Sequence, residues 1–248
     1  MAKLEGILKL RGTIGNMTFS HTEDGIIVSE KSGVSKERIE SDPAFIRTRE
    51  NMAEFSTAGK SAKLLSAAFR SSIPNAKGKR LFARMHRLMK FALNEDLVSL
   101  RGLRTVLNGN LGLFAGFNFN DKSPLDAVSN IPYTATIDRV AGELEVTLPA
   151  YIPMDTIVAP TGATHYRLVA TAAELNFTDY TSAKDKQQTG YLALDATPTA
   201  LTSLTCALAP NSTHPLMLSL GIEFFMEVGA TKYPMKDGCA HAIVKLDI

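Results

Sequence analysis

The residues with the most chemical potential in this chain are a Gly-Lys-Ser triplet, five histidines, two cysteines and a few paired carboxylates. Gly59-Lys60-Ser61 has the ending of a phosphate loop, in which backbone amides cradle phosphate. The full motif needs a glycine five residues before Gly59. Glu54 stands there instead, a carboxylate that repels phosphate, and no strand pattern leads into it. His21, His86, His165, His214 and His241 show no i, i+4 pairing and no carboxylate at ligand spacing, so zinc has no local support. His86, between Met85 and Arg87 in a helical pattern, fits a partly exposed structural role. Cys239 and His241 would share one strand face by alternation alone. A thiol nucleophile also needs an orienting acid and an oxyanion hole, and neither has a signature here. Gly-x-Ser-x-Gly is absent, and Glu143/Glu145 and Glu223/Glu227 fit the solvated faces of strands. The Asn-x-Thr sites at Asn16, Asn176 and Asn211 matter only in a secreted chain. No catalytic residue, metal ligand or cofactor is assigned, and the chain is expected not to be an enzyme.

The elements that would position any site fall into three stretches. Residues 1–35 alternate as a β-hairpin arm: Ile7, Leu8 and Leu10, then Ile14, Met17 and Phe19, then Ile26 to Val28 after the Glu23-Asp24-Gly25 turn. Residues 36–108 read as a basic helical region. Ser41 or Asp42 caps a helix with Pro43 at its first position and apolar residues through Phe55. A second segment runs from Ala58 to Phe69 until Ile73-Pro74 stops it. A third, from Lys77 to Asn94, sets Leu81, Met85, Leu88 and Ala92 on one stripe, with Phe82, Met89 and Leu93 beside it. Residues 109–248 read as strands: 111–120, 133–139, 143–148, 165–177, 191–195, 201–208, 216–228 and 242–247. Their spacing, with no helix between them, predicts an antiparallel, immunoglobulin-like β-sandwich and an α+β chain overall.

Charge follows these stretches. Residues 1–107 hold 19 Lys and Arg against 11 Asp and Glu, and residues 108–248 hold 8 against 14, so +8 faces −6. Eleven of the cations lie between Lys60 and Arg104. Arg80, Arg84 and Arg87 recur on one helix face, and Lys60, Lys63, Arg101 and Arg104 are further candidates for binding phosphate or the acidic face of another copy. With 45% hydrophobic and 21% charged residues among 248, the composition excludes a wholly disordered or collagen-like chain. No apolar run is long enough to span a membrane, and Lys3, Glu5, Lys9 and Arg11 break any signal-peptide core. A cytoplasmic location is expected, with release as an extracellular particle left open. Two cysteines, Cys206 and Cys239, allow at most one bridge.

Gly12-Thr13-Ile14-Gly15-Asn16-Met17-Thr18-Phe19 and Asp42-Pro43-Ala44-Phe45-Ile46-Arg47-Thr48-Arg49-Glu50-Asn51 resemble the amino-terminal region of a family of uncharacterised bacterial proteins found mainly in Bacteroidetes. Residues 132–139 and 221–225 are similar to later blocks of that family, so the resemblance extends over most of the chain. It implies a hairpin, a helical segment and a β-rich half in the manner of an assembly subunit, and it implies no activity and no catalytic residues. The function expected is that of a structural protein associating with copies of itself in a homo-oligomeric particle, tube or filament. The alternative is a nucleic-acid-associated protein of a phage-like or mobile element that uses the basic helical region.

Overall fold

The computed structural model describes residues 2–4, 10–23, 25–30, 34–72, 74, 76 and 78–248. The chain is α+β with antiparallel sheets throughout, and it divides into two compact units, residues 1–51 and 52–248.

In the first unit, β1 (Ala2–Leu4), β2 (Gly12–Ile14), β3 (Met17–Thr22) and β4 (Gly25–Glu30) form one sheet in the order β1-β4-β3-β2. Thr22 pairs directly with Gly25, so a two-residue turn joins β3 to β4 where the sequence places a turn signal. Asp24 of that signal, Ile7 and Leu8 of the first apolar run, and Ser32 and Gly33 lie outside the described residues. Helix α1 (Lys36–Ser41) occupies a stretch in which the sequence shows no apolar face. Its hold is local, since the Ser35 side chain caps the Arg38 N–H. Asp42 then accepts from the Ala44 N–H and opens a 3-10 turn, Pro43–Phe45. Arg49 ties these pieces together by donating to the carbonyls of Ile39 and Asp42.

Helix α2 (Ile46–Phe69) is continuous, a correction to the two segments expected, because nothing between Phe55 and Ala58 breaks a helix. Its buried face is Ala58, Ala62, Leu65 and Phe69, with Leu64 and Ala68 beside them. Ile73, expected to stop it, is outside the described residues, as is Lys77. Helix α3 (Leu81–Asn94) buries Leu81, Met85, Met89, Ala92 and Leu93. Phe82 and Phe91, which fit the apolar stripe by spacing, are instead half exposed.

The strand expected at 111–120 is another correction. A 3-10 turn, Leu111–Phe114, is followed by irregular backbone. Short helices α4 (Leu125–Val128) and α5 (Pro153–Thr156) flank β5 (Thr134–Asp138) and β6 (Glu143–Leu148). Asp138 folds the β5–β6 turn by accepting the N–H groups of Val140 and Ala141, and Gly142 takes the left-handed conformation at φ 75° that the turn requires.

Next come β7 (His165–Asn176), β8 (Thr181–Gln188), β9 (Leu192–Ala193), β10 (Thr202–Ala207), β11 (Leu216–Val228), β12 (Thr231–Pro234) and β13 (Ala240–Asp247). β10-β6-β5 is one sheet. In the other, β11 pairs with β7 on one side and with β12 and β13 on the other, while β7 also carries β8 and β9. The larger sheet curls so that β8 lies beside β10 and β13 beside β5. Irregular residues 116–119 bind the free side of β13, through Gly116 N–H to Ile243 O and Phe119 N–H to His241 O. Helices α2 and α3 and both of these sheets contribute to one hydrophobic core. Among the described residues no helix is long and apolar enough to cross a membrane.

Candidate functional site

Direct pairing across the first unit's sheet sets Ile14 opposite Met17, Phe19 opposite Val28 and His21 opposite Ile26. Residues paired in this way share a face, so Ile14, Met17, Phe19, Ile26 and Val28 lie on one side of the sheet, with His21 and Glu30 at its margins. Thr18, Ser20 and Thr22 point to the other side. No described residue of the first unit is buried, and Ile14 and Met17 are more than half exposed. A sheet with an uncovered apolar face is marginal in water until something packs on that face. The outermost strands, β1 and β2, also end the hydrogen-bonded ladder.

The second unit presents a different apolar surface on the loop after α3. Asp96 is buried, and its carboxylate accepts the N–H groups of Val98, Ser99 and Thr105, each at 2.9 Å. Burial would raise its pKa, but these three donors prevail and hold it well below the usual carboxylate range. Glu54 of α2 pins the same loop. It accepts the Gly102 N–H at 2.9 Å, binds Lys90 Nζ at 2.5 Å and lies 3.9 Å from Arg104 Nε. Here too burial opposes ionisation, and the amide, Lys90 and Arg104 together lower the pKa. Between these two anchors Leu97, Val98, Leu100 and Leu103 stand 70% or more exposed. A loop so firmly tied yet so apolar outside has the character of an interaction surface.

The seven basic candidates do not act alike. Arg84 is committed within the unit: it donates to the Asn118 carbonyl at 2.5 Å, pairs with Asp121 and lies over the Phe117 ring. It therefore holds the irregular 116–121 segment. Arg87 is exposed above Phe91, 5.4 Å from the ring centroid, and Arg80 is exposed at the start of α3. Lys60 and Lys63 project from α2, Lys60 lying 5.6 Å above the Tyr180 ring. Arg101 is exposed on the pinned loop, and Arg104 is drawn inward by Glu54. Glu54, the residue that breaks the phosphate-loop pattern, is thus a buried counter-charge. Sequence spacing gave no sign of it because its partners lie 36 and 50 residues away.

Comparison with protein-family models, with curated proteins and with solved structures finds no match to this chain.

Of the other groups, Glu223, expected on a solvated strand face, is instead buried against Arg167, and two cysteines and two histidines are engaged within the fold. Burial pushes the thiols of Cys206 and Cys239 up to about 11, and Cys239 donates to the Met235 carbonyl. His241 Nε2 lies 2.9 Å from Ser219 Oγ, whose own proton goes to the Thr171 carbonyl. The imidazole must then donate, so it cannot serve as base toward that hydroxyl. Thr171 Oγ1 in turn donates to Ser72 Oγ, linking β13, β11 and β7 to the residues that follow α2. Burial, aided by Lys186, lowers the His241 pKa to about 3. A Cβ on Gly221 would fall 2.0 Å from Nδ1, so glycine there makes room for the ring. His86 sets its ring against Phe55 and donates from Nε2 to the Phe55 carbonyl, which joins α3 to α2. Among the described residues no group of three or more His, Cys, Asp and Glu is placed to hold a metal.

Proposed function

We propose that this chain is a structural protein that associates with copies of itself, in the manner of the Bacteroidetes family it resembles. The observation that carries this reading is the first unit's sheet, on one side of which Ile14, Met17, Phe19, Ile26 and Val28 lie with none of them buried, Ile14 and Met17 being more than half exposed. Its edges β1 and β2 suit strand addition from a neighbour. The apolar loop at 97–103 gives the second unit a separate surface of its own. Two unlike surfaces on one molecule favour head-to-tail contacts, which build rings or open filaments. The charge split favours the same mode. Residues 1–51 are neutral, with eight cations and eight anions, so the opposed charges lie between the helices and the sheets of the second unit.

Size-exclusion chromatography with light scattering, at low and high salt, tests the proposal. Species larger than the 26.9 kDa chain are expected, persisting in high salt because apolar burial is the main cohesion. A strict monomer at high protein concentration in both salts rejects it. The immunoglobulin-like description of residues 109–248 is likewise a proposal, supported by two antiparallel sheets that share one core.

The nucleic-acid reading has one observation in its favour, the exposed Arg87 and Phe91 pair beside Arg80 on α3. It predicts binding to DNA or RNA that weakens steeply with salt and is lost in R80E/R87E. Arg84 is unsuited to that test because its reversal would also release residues 116–121.

A further inference from the structure

A cavity of about 340 Å³ lies within the second unit, walled by α2, by the loop at 102–107 and by the turn between β7 and β8. That volume is at the small end of the range that takes organic ligands. Its polar lining includes Thr57, Ser61, Arg104, Thr105 and Tyr180, and its apolar lining includes Val106 and Phe177.

One donor at its wall is left without an acceptor, the Nε of Arg104. Glu54 is a single carboxylate, and Lys90 Nζ already binds its Oε2 at 2.5 Å. The other oxygen accepts the Gly102 amide at 2.9 Å, which leaves Arg104 Nε at 3.9 Å, too far for a hydrogen bond. That Nε is buried with no hydrogen-bond acceptor, an expensive state for a guanidinium N–H. Asp96, the buried carboxylate of this loop, spends its oxygens on the backbone N–H groups of Val98, Ser99 and Thr105. Lys60, outside the lining, holds a second cation 5.6 Å over the ring of Tyr180, which does line it. Tyr180 itself sits at φ 55°, in the left-handed region that glycine or asparagine normally fills in a tight turn. A β-hairpin that sets a tyrosine in that position, against a cavity lined by an arginine that is ion-paired with Glu54 but whose Nε has no hydrogen-bond acceptor, has the features of a place where a ligand completes the bonding.

We infer that this cavity binds a small organic anion, a carboxylate or phosphate group carried on an apolar body. The anion would sit against the Arg104 guanidinium, where a planar fork suits either group, with hydroxyls of the lining as further donors. The body would lie along Val106 and Phe177. This goes beyond self-association and does not rest on it.

Titration of the full chain with phenyl phosphate, benzoate and benzyl alcohol, followed by calorimetry and by amide NMR shifts, tests the site. Both anions should bind saturably and shift the amides of Thr57, Thr105 and Tyr180. Benzyl alcohol should bind about tenfold more weakly or less. R104Q should weaken the anions by about tenfold or more. K60M removes an exposed side chain, leaves folding intact and should weaken them by about two- to fivefold. Binding of phosphate and carboxylate alike supports the shared chemistry, and binding of one alone assigns the ligand to that group. No saturation below ~10 mM with either anion, equal binding of benzyl alcohol, or affinity unmoved by K60M and R104Q would overturn the inference.

Discussion

The two units make opposite use of apolar residues. In the second, α2, α3 and the two sheets enclose a core in which Phe69, Phe114, Phe119, Tyr166 and Phe224 are fully buried. In the first, five large apolar side chains line one sheet face and no described residue is buried. Both follow the same alternation rule, so pattern alone does not set burial. The second unit meets its hydrophobic requirement within the chain, whereas none of the described residues of the first is buried.

Substitutions should separate the units sharply. Phe69→Ala empties a site packed against Phe119 and should cost about 3–5 kcal/mol of the second unit's stability, read from the urea midpoint. Glu54→Ala leaves Lys90 and Arg104 without their carboxylate and frees the Gly102 amide. Because both cations can turn partly to water, about 2–3 kcal/mol is expected, with faster exchange of the 97–105 amides. His241 gives the next effect. Its pKa is about 3 in the fold against an ordinary 6.5, so the unfolded chain holds more protons between those values. Stability is therefore complete above pH 6.5 and falls as pH drops toward 3. Between pH 6.5 and 5 the loss should approach about 2 kcal/mol, before the lowered carboxyls of Glu54 and Asp185 begin to titrate. An unchanged urea midpoint across that window would contradict the buried neutral imidazole. The smallest effect is expected from Phe19→Asp, which should move the second unit's midpoint by less than about 0.5 kcal/mol while abolishing assembly. A large loss of the second unit's stability in that variant would erase the contrast between the units.

Much of the fold was legible because its periodicities are strong. The β3–β4 and β5–β6 hairpins announce themselves by turn residues, and α3 by its apolar stripe. β8, Thr-Ser-Ala-Lys-Asp-Lys-Gln-Gln, was invisible because a polar strand at a sheet margin has no apolar alternation to detect. β12 is short and exposed, so the apolar pattern of 216–228 carries no sign of a strand after it. Residues 111–120 look like a strand because Leu111, Leu113, Phe117 and Phe119 alternate, yet Gly112 and Gly116 let the backbone coil before it reaches β13. The basic residues were legible as a set but not in their roles. Arg84 faces the 116–121 segment, and Glu54 collects Lys90 and Arg104, contacts that only the tertiary fold creates.

Hydrogen exchange of the amides in residues 12–30, measured by mass spectrometry over a wide range of protein concentration, bears most directly on the uncovered sheet. If copies of the chain cover it, those amides will be protected in concentrated solution and will exchange rapidly on dilution, while α2 and β11 keep the same protection throughout. Protection of 12–30 that does not change with concentration would mean that no second copy is needed to hold this sheet.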